Sequence, residues 1–363
     1  MQVFPLDPDD SRWLAALSGT PHDFYQLPGY VALAGRVDGG DPVAVLVEDG
    51  PRRLLMPLLL RDLTAGQASG GARRDAISPY GYPGIAIASG DPAAPADADF
   101  GRAALRQAIA WLREAGVVSL FLRMNPLLPV DEAVLGDVGT VVDHGRTVSI
   151  DLRKDEADLF LSLRSNHRRN IARLDRLGFT YEIDASWSRA RVAAFLAVYT
   201  ETMDRLGAAA SYYVDERYVE ELYAALGGRL SIMLARQGDE VAAACLFTEV
   251  DGIVQYHLGG TRTAFLSVSP NKGIFTRVAV WARARGNRIL HLGGGLGGAE
   301  DALFDFKAGF SPERHVFQTA RIVVDATAYA DLVADWSAAA GQPPPDARGF
   351  FPAYRAPTSA LIA

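Results

Sequence analysis

Two distant stretches of the chain share a pattern that restricts the folds open to it. Residues 111–123 read WLREAGVVSLFLR and residues 281–293 read WARARGNRILHLG, so a tryptophan, a basic helix end, a glycine and an apolar strand recur in register. Each stretch follows the same predicted series: a hairpin, a strand running into a Tyr/Gly/Pro or Gly/Pro loop, and a helix. The alternative is chance similarity between two ordinary strand–helix–strand pieces. We interpret the pattern as two copies of one α/β unit.

The predicted elements define the extent of each copy. The first copy has a hairpin, an amphipathic helix and a buried strand, at 43–47, 54–60, 100–115 and 117–122. The second has three strands, a helix and a further strand, at 230–235, 241–247, 253–258, 274–285 and 289–292. We therefore expect a first unit over 1–150, a second over 151–335 with a helical insert at 155–226, and an irregular tail over 336–363. In the insert, Asp155 and Asp215 are predicted helix N-caps.

Composition excludes several classes of protein. The formal net charge of −7 argues against broad, non-specific binding of nucleic acid, although a local basic patch remains possible in such a chain. The single cysteine, Cys245, allows no intrachain disulfide, which is typical of a reducing compartment. The N-terminus lacks the pattern of a secretory signal, and no apolar run is long enough to span a bilayer. We expect a cytoplasmic protein, and the Ala-, Arg- and Gly-rich composition is typical of GC-rich bacterial genomes.

A glycine-rich segment closes the second copy and contains an unusual lysine. The segment reads RILHLGGGLGGAEDALFDFKAGF over 288–310, and its lysine, Lys307, lies among three phenylalanines. Glycines directly after a strand let the backbone turn sharply or approach a ligand closely. An ammonium group in apolar surroundings is costly unless something requires it. Lys307 therefore either serves a site or, like most lysines, pairs on the surface with Asp305 or Glu313.

Five motifs follow one another along the second half of the chain: SLRSNHRRNIARLDRLGFTYEI at 162–183, YHLGGT at 256–261, SPNKGIF at 269–275, LHLGGG at 290–295 and FDFKAGF at 304–310. In this order and spacing they resemble the FemABX-like branch of the GNAT superfamily. The best-known members of that branch transfer an amino acid from aminoacyl-tRNA to an amine on a peptidoglycan precursor. The resemblance covers nearly the whole chain. It implies an α/β protein of two tandem GNAT-like units, each a mixed, mostly antiparallel sheet flanked by helices.

The resemblance also implies roles for particular residues. The family's Phe-Lys pair falls on Phe306 and Lys307, and this lysine would stabilise the oxyanion that develops as an amine attacks an ester carbonyl. Substrate would be bound by the loops at 78–84 and 259–273 and the glycines at 293–298. The candidate substrate-binding side chains are Phe306, Tyr80, Tyr82, His257, His291, Asn271 and Lys272. Two departures from the family pattern, His291 at a usually acidic position and SPYGYPG in the first loop, leave a muramyl peptide and an amine of secondary metabolism as alternative acceptors.

Several of these candidates have a purely structural alternative. Each histidine either acts as a general base towards the attacking ammonium or is a hydrogen-bonded sheet residue. Tyr80 and Tyr82 either line an acceptor pocket or only pack their loop. No set of ligands shows the spacing of a metal site, so we expect no metal, and no Ser/His/Asp nucleophile pattern occurs. We assign Cys245 and the pair Tyr212-Tyr213 to the core.

A run of arginines marks the predicted helix from 155 to 177, which would end at Gly178. Five arginines occur within four helical turns, opposed only by Asp175. Such a stripe either holds phosphates of a tRNA acceptor arm or of a nucleotide-linked substrate, or is a solvated helix face. The residues proposed to contact phosphate or tRNA are Arg164, Arg168, Arg169 and Arg173.

The donor is the main open question. An acyl-CoA enzyme of the GNAT type usually has a Gln/Arg-x-x-Gly-x-Gly/Ala loop at a helix start, where free N–H groups hold the pyrophosphate. Neither SPNKGIF at 269–275 nor the stretch at 98–102 matches, although Lys272 and the Gly273 N–H could hold one phosphate. We therefore expect an aminoacyltransferase that uses aminoacyl-tRNA and no cofactor, acting on a small-molecule or peptide amine. The alternatives are an acyl-CoA-dependent N-acetyltransferase and a non-catalytic small-molecule-binding protein of the same fold.

Overall fold

The computed structural model describes residues 1–63, 73–90, 97–183, 187–346 and 349–357. The chain forms two compact units, an N-terminal unit of residues 1–144 and 317–363 and a central unit of residues 145–316. The sequence-based division placed the boundaries at 150 and 335. The structure differs at the second boundary because residues 319–323 pair with the strand at 119–123 of the N-terminal unit. The Gly/Ala-rich stretch at 65–74 and the Pro/Ala/Asp stretch at 90–98, for which the sequence predicts loops, lie largely outside the described residues.

The elements follow the predicted alternation of strands and helices. The chain first forms β1 Gln2–Leu6, α1 Ser11–Leu17, α2 Pro28–Asp38, β2 Asp41–Asp49, β3 Arg52–Asp62, β4 Arg74–Ile77, β5 Ala86–Ala88, α3 Ala98–Glu114, β6 Val117–Arg123 and α4 Glu132–Leu135. It continues with β7 Thr140–Asp151, α5 Glu156–Ser162, α6 Ser165–Arg176, β8 Phe179–Glu182, α7 Arg189–Leu206, α8 Glu216–Leu226, β9 Leu230–Gln237, β10 Glu240–Val250 and β11 Ile253–Thr261. It closes with α9 Asn271–Ala284, β12 Ile289–Gly293, α10 Ala302–Ala308, β13 Arg314–Val323 and α11 Ala326–Ala340.

In the N-terminal unit the strand order is β1-β2-β3-β4-β6-β13, and β5 pairs with β3. The pairing is antiparallel except between β4 and β6. Helix α3 begins at Asp97, whose carboxylate accepts the N–H groups of Asp99 and Phe100. Its apolar stripe, which includes Phe100, Leu105 and Leu112, is buried in a core with the strands because apolar residues recur at helical spacing.

In the central unit the order is β7-β12-β11-β10-β9-β8, with β11 and β12 the parallel pair. Their register runs only from Ile253 opposite Ile289 to Gln255 opposite His291. Beyond it β11 continues to Thr261 along β10, while β12 ends in the glycines. The pairing of the two parallel strands therefore ends where the glycine-rich segment begins. The predicted fold class, two tandem units with mixed and mostly antiparallel sheets, is confirmed.

The helix predicted from 155 to 177 is in fact two helices. Asp155 caps α5 as predicted, accepting the N–H of Asp158, and Gly178 follows α6 with a φ of 75°. The break falls at Leu163 and Arg164, where the Arg164 N–H donates to the Gly309 carbonyl at 2.8 Å. This contact with a remote segment of the chain replaces a hydrogen bond within the helix, so the local sequence does not predict the break.

The C-terminal segment is more ordered in its packing than an irregular tail would be. Helix α11 runs to Ala340, and Tyr354 is buried with its hydroxyl 2.7 Å from the Ser119 hydroxyl.

The sequence prediction was wrong for Tyr212 and Tyr213, which are each 39% exposed because they lie at a surface turn rather than on a core element. Cys245 is buried as expected. In the described residues no helix combines the length and apolar character needed to cross a bilayer.

Candidate functional site

Lys307 lies on the last turn of α10 and points inward. Its side chain is only 6% exposed, and its Nζ donates a hydrogen bond to the Gly294 carbonyl at 2.6 Å. The Tyr256 ring lies beside it, with 5.6 Å between Nζ and the ring centroid. The alternative of a surface ion pair is not what the structure shows, since Asp305 pairs with Arg164 and Glu313 with Lys154. A backbone carbonyl and an aromatic face are thus the described partners of this ammonium.

Burial makes the Lys307 ammonium easier to deprotonate. Loss of hydration lowers its pKa from 10.5 to about 8, and the negative charge of Asp301 opposes that shift. Lys307 therefore remains largely protonated at neutral pH. Its ammonium has three donors, of which the Gly294 carbonyl takes one. A cation held in this way can stabilise negative charge that develops on a bound substrate.

The glycines that precede α10 allow the chain to fold tightly around this position. Gly293 has a φ of 74°, in the left-handed region where a side chain would be strained. A Cβ on Gly294 would come within 2.9 Å of the Arg146 carbonyl oxygen, and one on Gly295 would collide with Asp301. Asp301 in turn caps α10 by accepting the Phe304 N–H at 2.9 Å. The glycine run is therefore required for the geometry that brings the Gly294 carbonyl to the Lys307 ammonium.

A second buried side chain, that of His167, holds α10 in place. Its Nε2 donates to the Phe306 carbonyl at 3.0 Å, and its ring packs edge-on against Phe310. A Cβ on Gly309 would collide with this ring, which explains the glycine in the FKAGF motif. Burial, with the charge of Lys272 acting in the same direction, lowers the pKa of His167 to about 4. The sequence motif that contains His167 predicts no role for it, because only the fold places the imidazole beside Phe306.

His291 on β12 and His257 on the neighbouring strand β11 lie in different surroundings. His291 is fully buried with Nδ1 2.8 Å from the Gln255 amide oxygen. Burial holds its pKa well below the ordinary range, and the charges of His315 and Lys307 act in the same direction. His257 has Nε2 2.7 Å from the Tyr218 hydroxyl, and burial lowers its pKa to about 4. Both imidazoles are therefore neutral at pH 7.

The start of α9 does not present a free set of N–H groups. The N–H of Lys272 donates to the Ser269 carbonyl at 3.1 Å, and those of Gly273 and Ile274 donate to the Pro270 carbonyl at 2.9 and 3.3 Å. The Tyr181 hydroxyl lies against Gly273, where a Cβ would collide with it. Asn271 accepts a weak contact from the Cys245 thiol at 3.6 Å. Lys272 is half-buried, and burial lowers its pKa.

The arginines of the predicted stripe on α6 differ in their partners: some bind groups of the protein, and others form no ion pair with a described residue. Arg164 pairs with Asp305 at 3.1 Å. Arg168 donates to the carbonyls of Leu161 and Leu163, at 3.0 and 2.5 Å, and so caps the end of α5. Asp175, the one opposing acid, pairs with Arg277 at 2.7 Å. Arg169 and Arg173 are exposed and form no ion pair with any residue that the structure describes.

Tyr80 and Tyr82 belong to the N-terminal unit. Tyr80 is 50% exposed, and its carbonyl accepts a hydrogen bond from the Tyr30 hydroxyl at 3.0 Å. Tyr82 is half-buried and packs edge-on against Tyr25 and Phe317. Tyr25 lies so close to Gly81 that a Cβ there would collide with its ring. The loop at 78–84 is thus held by an aromatic cluster that leaves the Tyr80 side chain accessible.

The structure therefore brings part of the predicted site together. Helix α10 brings together Lys307, Phe306 and Arg164. His291 lies close enough for the Lys307 charge to lower its pKa. Within the described residues no three His, Cys, Asp or Glu side chains form a group that could hold a metal ion.

Comparison with known proteins shows similarity to part of the sequence and to the fold. Residues 162–307 match the family model described as an acetyltransferase (GNAT) domain, a span that ends at Lys307. No curated protein matches the sequence. Among solved structures, the chain is similar to FemX at 13% identity, covering 91% of this chain and 99% of that one, with a TM-score of 0.67.

Two further structures share the fold. L-PGS from Bacillus licheniformis is 14% identical over 91% of this chain and 96% of its own, with a TM-score of 0.57. The C-terminal domain of a putative lysylphosphatidylglycerol synthetase from Agrobacterium fabrum is 13% identical over 85% and 92%, with a TM-score of 0.52. At these identities the likeness establishes the fold. The match over residues 162–307 and the shared fold agree with the resemblance to GNAT-type proteins that the sequence motifs indicated.

Proposed function

We propose that this protein transfers an aminoacyl group from aminoacyl-tRNA to the amine of a peptide, a peptidoglycan precursor or an antibiotic-type acceptor. The observation that carries the proposal is the buried Lys307 ammonium, held by the Gly294 carbonyl without a carboxylate partner among the described residues. A protein spends stability to bury an unneutralised charge, and such groups cluster at functional sites. Its position at the end of the GNAT match adds to that support.

The chemistry is a direct attack without a covalent enzyme intermediate. The acceptor nitrogen forms a bond to the ester carbonyl carbon, and the carbonyl electrons move onto oxygen. The N–H donors of Lys307 not used by Gly294 stabilise that oxyanion. When the oxyanion collapses, the carbon–oxygen bond to the tRNA ribose breaks, and the proton lost from the attacking nitrogen goes to the ribose oxygen.

In this proposal the donor's phosphates bind on α6. Arg169 and Arg173 are one helical turn apart, exposed and without an ion-pair partner in the described residues, so their charges are available to a polyanion. Arg164 and Arg168 have internal roles and hold the helix in place. The phosphate role assigned to all four arginines is therefore concentrated on the second pair.

The remaining candidates take narrower roles. Tyr80 is accessible and suits contact with the acceptor, while Tyr82 holds its loop. His291 is too buried to touch a substrate, so it acts on the site through Gln255 and its proximity to Lys307. Asn271, Lys272 and His257 remain proposed substrate contacts.

The start of α9 weighs against acyl-CoA as the donor. Pyrophosphate binding at a helix N-terminus requires N–H groups that point freely at the ligand. Here three of those groups already donate to the Ser269 and Pro270 carbonyls, and the Tyr181 hydroxyl covers Gly273. An acyl-CoA enzyme would have to break this turn to bind its donor.

A donor test separates the alternatives. The protein is incubated with a pool of charged tRNAs and a set of small amines, with and without ribonuclease, and in parallel with acetyl-CoA. We expect amide formation that ribonuclease abolishes and that Lys307→Met lacks. Activity that survives ribonuclease and requires acetyl-CoA would replace the donor in this proposal. If neither charged tRNA nor acetyl-CoA supports amide formation with any class of acceptor, the result would favour a non-catalytic small-molecule-binding protein.

A further inference from the structure

The N-terminal unit contains a cavity that has no part in the Lys307 site. Its volume is about 410 Å³, within the range of small-molecule sites. Its apolar lining includes Ile85 and β5 residues 86–88, residues 127–130 after β6, and Val134 on α4. Its polar lining side chains include Ser18, Arg53, Asp97 and Asp131.

One of those polar groups, Arg53, has more charge than its partners neutralise. It lies on β3 opposite Ala88, and its Nη1 donates to the Ala15 carbonyl at 2.9 Å. Its Nη2 is a long 3.5 Å from the Ser18 carbonyl. The Nε atom is buried and has no hydrogen-bond partner among the described residues. Arg53 also forms no ion pair with a described residue. Its neighbour Arg52, by contrast, pairs with both Asp49 and Asp97.

The two carboxylates that line the cavity are already engaged. Asp97 pairs with Arg52 at 3.1 Å and caps α3, and its hydrogen bond with the Phe100 N–H is the largest influence that lowers its pKa. Asp131 is exposed to solvent and caps α4 by accepting the Ala133 N–H at 2.8 Å. Neither reaches Arg53 as an ion-pair partner. The cavity thus combines apolar walls with a guanidinium that forms no ion pair with any described residue, although Glu48 is its cross-strand neighbour on β2.

We propose that this cavity binds a small carboxylate with an apolar body, whose carboxylate pairs with the Arg53 guanidinium. The chemistry follows from the two halves of the site. An unpaired buried donor is costly and is satisfied best by an anionic acceptor, because guanidinium–carboxylate hydrogen bonds are among the strongest in proteins. The apolar walls of Ile85, Ile87 and Val134 gain from covering a hydrocarbon chain. This inference does not depend on the proposed transferase activity, since the cavity and the Lys307 site share no residue.

The test uses three probes of equal shape and different charge. Hexanoate, hexan-1-ol and hexylammonium are titrated into the full-length protein by isothermal calorimetry and followed by ligand-observed NMR. We expect hexanoate to bind about tenfold or more tightly than the alcohol, the factor that a charge-assisted hydrogen bond supplies, and hexylammonium to bind most weakly. Equal affinities for the three probes, or no saturable binding of hexanoate below about 10 mM, would overturn the proposal.

Two variants locate the binding. Arg53→Gln should weaken hexanoate about tenfold and leave hexan-1-ol unchanged, because only the carboxylate partner is lost. Arg102→Gln changes a half-buried arginine of α3 outside the cavity lining, is the matched control and should bind like wild type. Val130→Trp should exclude all three probes by filling the space. If Arg53→Gln fails to fold, the Val130→Trp result and the probe series still decide, and hexanoate binding unaffected by Val130→Trp rules the cavity out.

Discussion

The N-terminal unit buries a carboxylate and the central unit buries an ammonium, and the two are treated differently. Asp75 is fully buried, and its two oxygens each meet a guanidinium, that of Arg61 at 2.7 Å and that of Arg355. Lys307 is nearly as buried, yet it forms no ion pair with any residue that the structure describes. The first charge is compensated twice over, and the second has only a carbonyl and an aromatic face.

This difference indicates that the Asp75 charge stabilises the fold, whereas the Lys307 charge is available to a bound substrate. Removing one partner of a compensated buried pair leaves another charge stranded, so such pairs are costly to break. An uncompensated buried charge is a cost in itself, and replacing it by an apolar group of similar volume is often neutral or stabilising. The comparison therefore predicts opposite effects on stability and activity for substitutions at the two positions.

The sharpest test is Lys307→Met, which keeps the length of the side chain and removes its charge. We expect acyl transfer to fall by roughly 10²- to 10³-fold, the range seen when an oxyanion donor is lost, because the oxyanion loses its cation. The thermal midpoint should stay or rise. The chain's surface-paired Lys154 supplies the control, since Lys154→Met should change neither quantity greatly. Activity in Lys307→Met within severalfold of wild type would end the oxyanion role.

At the other position, Asp75→Ala should cost stability. The substitution strands Arg61 and Arg355, and we expect the free energy of unfolding to fall by about 3–5 kcal/mol, measured by urea denaturation. Glu221→Ala, which breaks an exposed pair with Arg217 on α8, should cost under about 0.5 kcal/mol. Equal losses from the two substitutions would show that burial of Asp75 adds nothing.

The histidine that fixes α10 predicts a dependence of stability on pH. The pKa of His167 is about 4 in the folded protein and 6.5 as a model value, so the unfolded chain binds more protons between those pH values. Stability should therefore be complete above pH 6.5 and fall as the pH drops towards 4, at up to about 1.4 kcal/mol per pH unit for this group. His167→Gln should flatten that slope in urea titrations taken at successive pH values. A slope unchanged by the substitution would assign the acid sensitivity to other groups, such as His257.

The smallest expected effect concerns the exposed arginines. Arg169→Gln with Arg173→Gln should weaken tRNA binding about tenfold and reduce the salt dependence of the affinity by about two charges, because two phosphate contacts are lost. Arg217→Gln with Arg102→Gln removes the same charge from other helices and is the control. If both double variants weaken binding equally, net charge rather than the α6 surface holds the tRNA.

The sequence predicted the regular elements of the fold better than their connections. The helices expected at 100–115 and 274–285 are α3 and α9, and the strands at 117–122 and 289–292 are β6 and β12, each within a few residues. These elements carry a strong helical or strand period of their own, which decides their structure locally. The break between α5 and α6 was missed because it depends on the Gly309 carbonyl, a partner remote in sequence.

The candidate site divides in the same way. Motif resemblance was sufficient to select Lys307, and the structure places it in the buried setting that its phenylalanine neighbours indicated. It could not reveal His167, whose role comes from the Phe306 carbonyl and the missing side chain of Gly309. Nor could it distinguish Arg169 and Arg173 from Arg164 and Arg168, since four arginines on one helix read alike until their partners are known.

The contacts of α6 with α10 have a consequence for how the enzyme would use its donor. The Arg164 N–H binds the Gly309 carbonyl, and His167 binds the Phe306 carbonyl, so the helix with the free arginines is fastened on both sides of Lys307. Binding energy gained by a polyanion on α6 would then be delivered at the reacting carbonyl, far from the phosphates themselves. A donor stripped to its terminal nucleotide would lose turnover as well as affinity, as expected when remote binding positions the reacting centre.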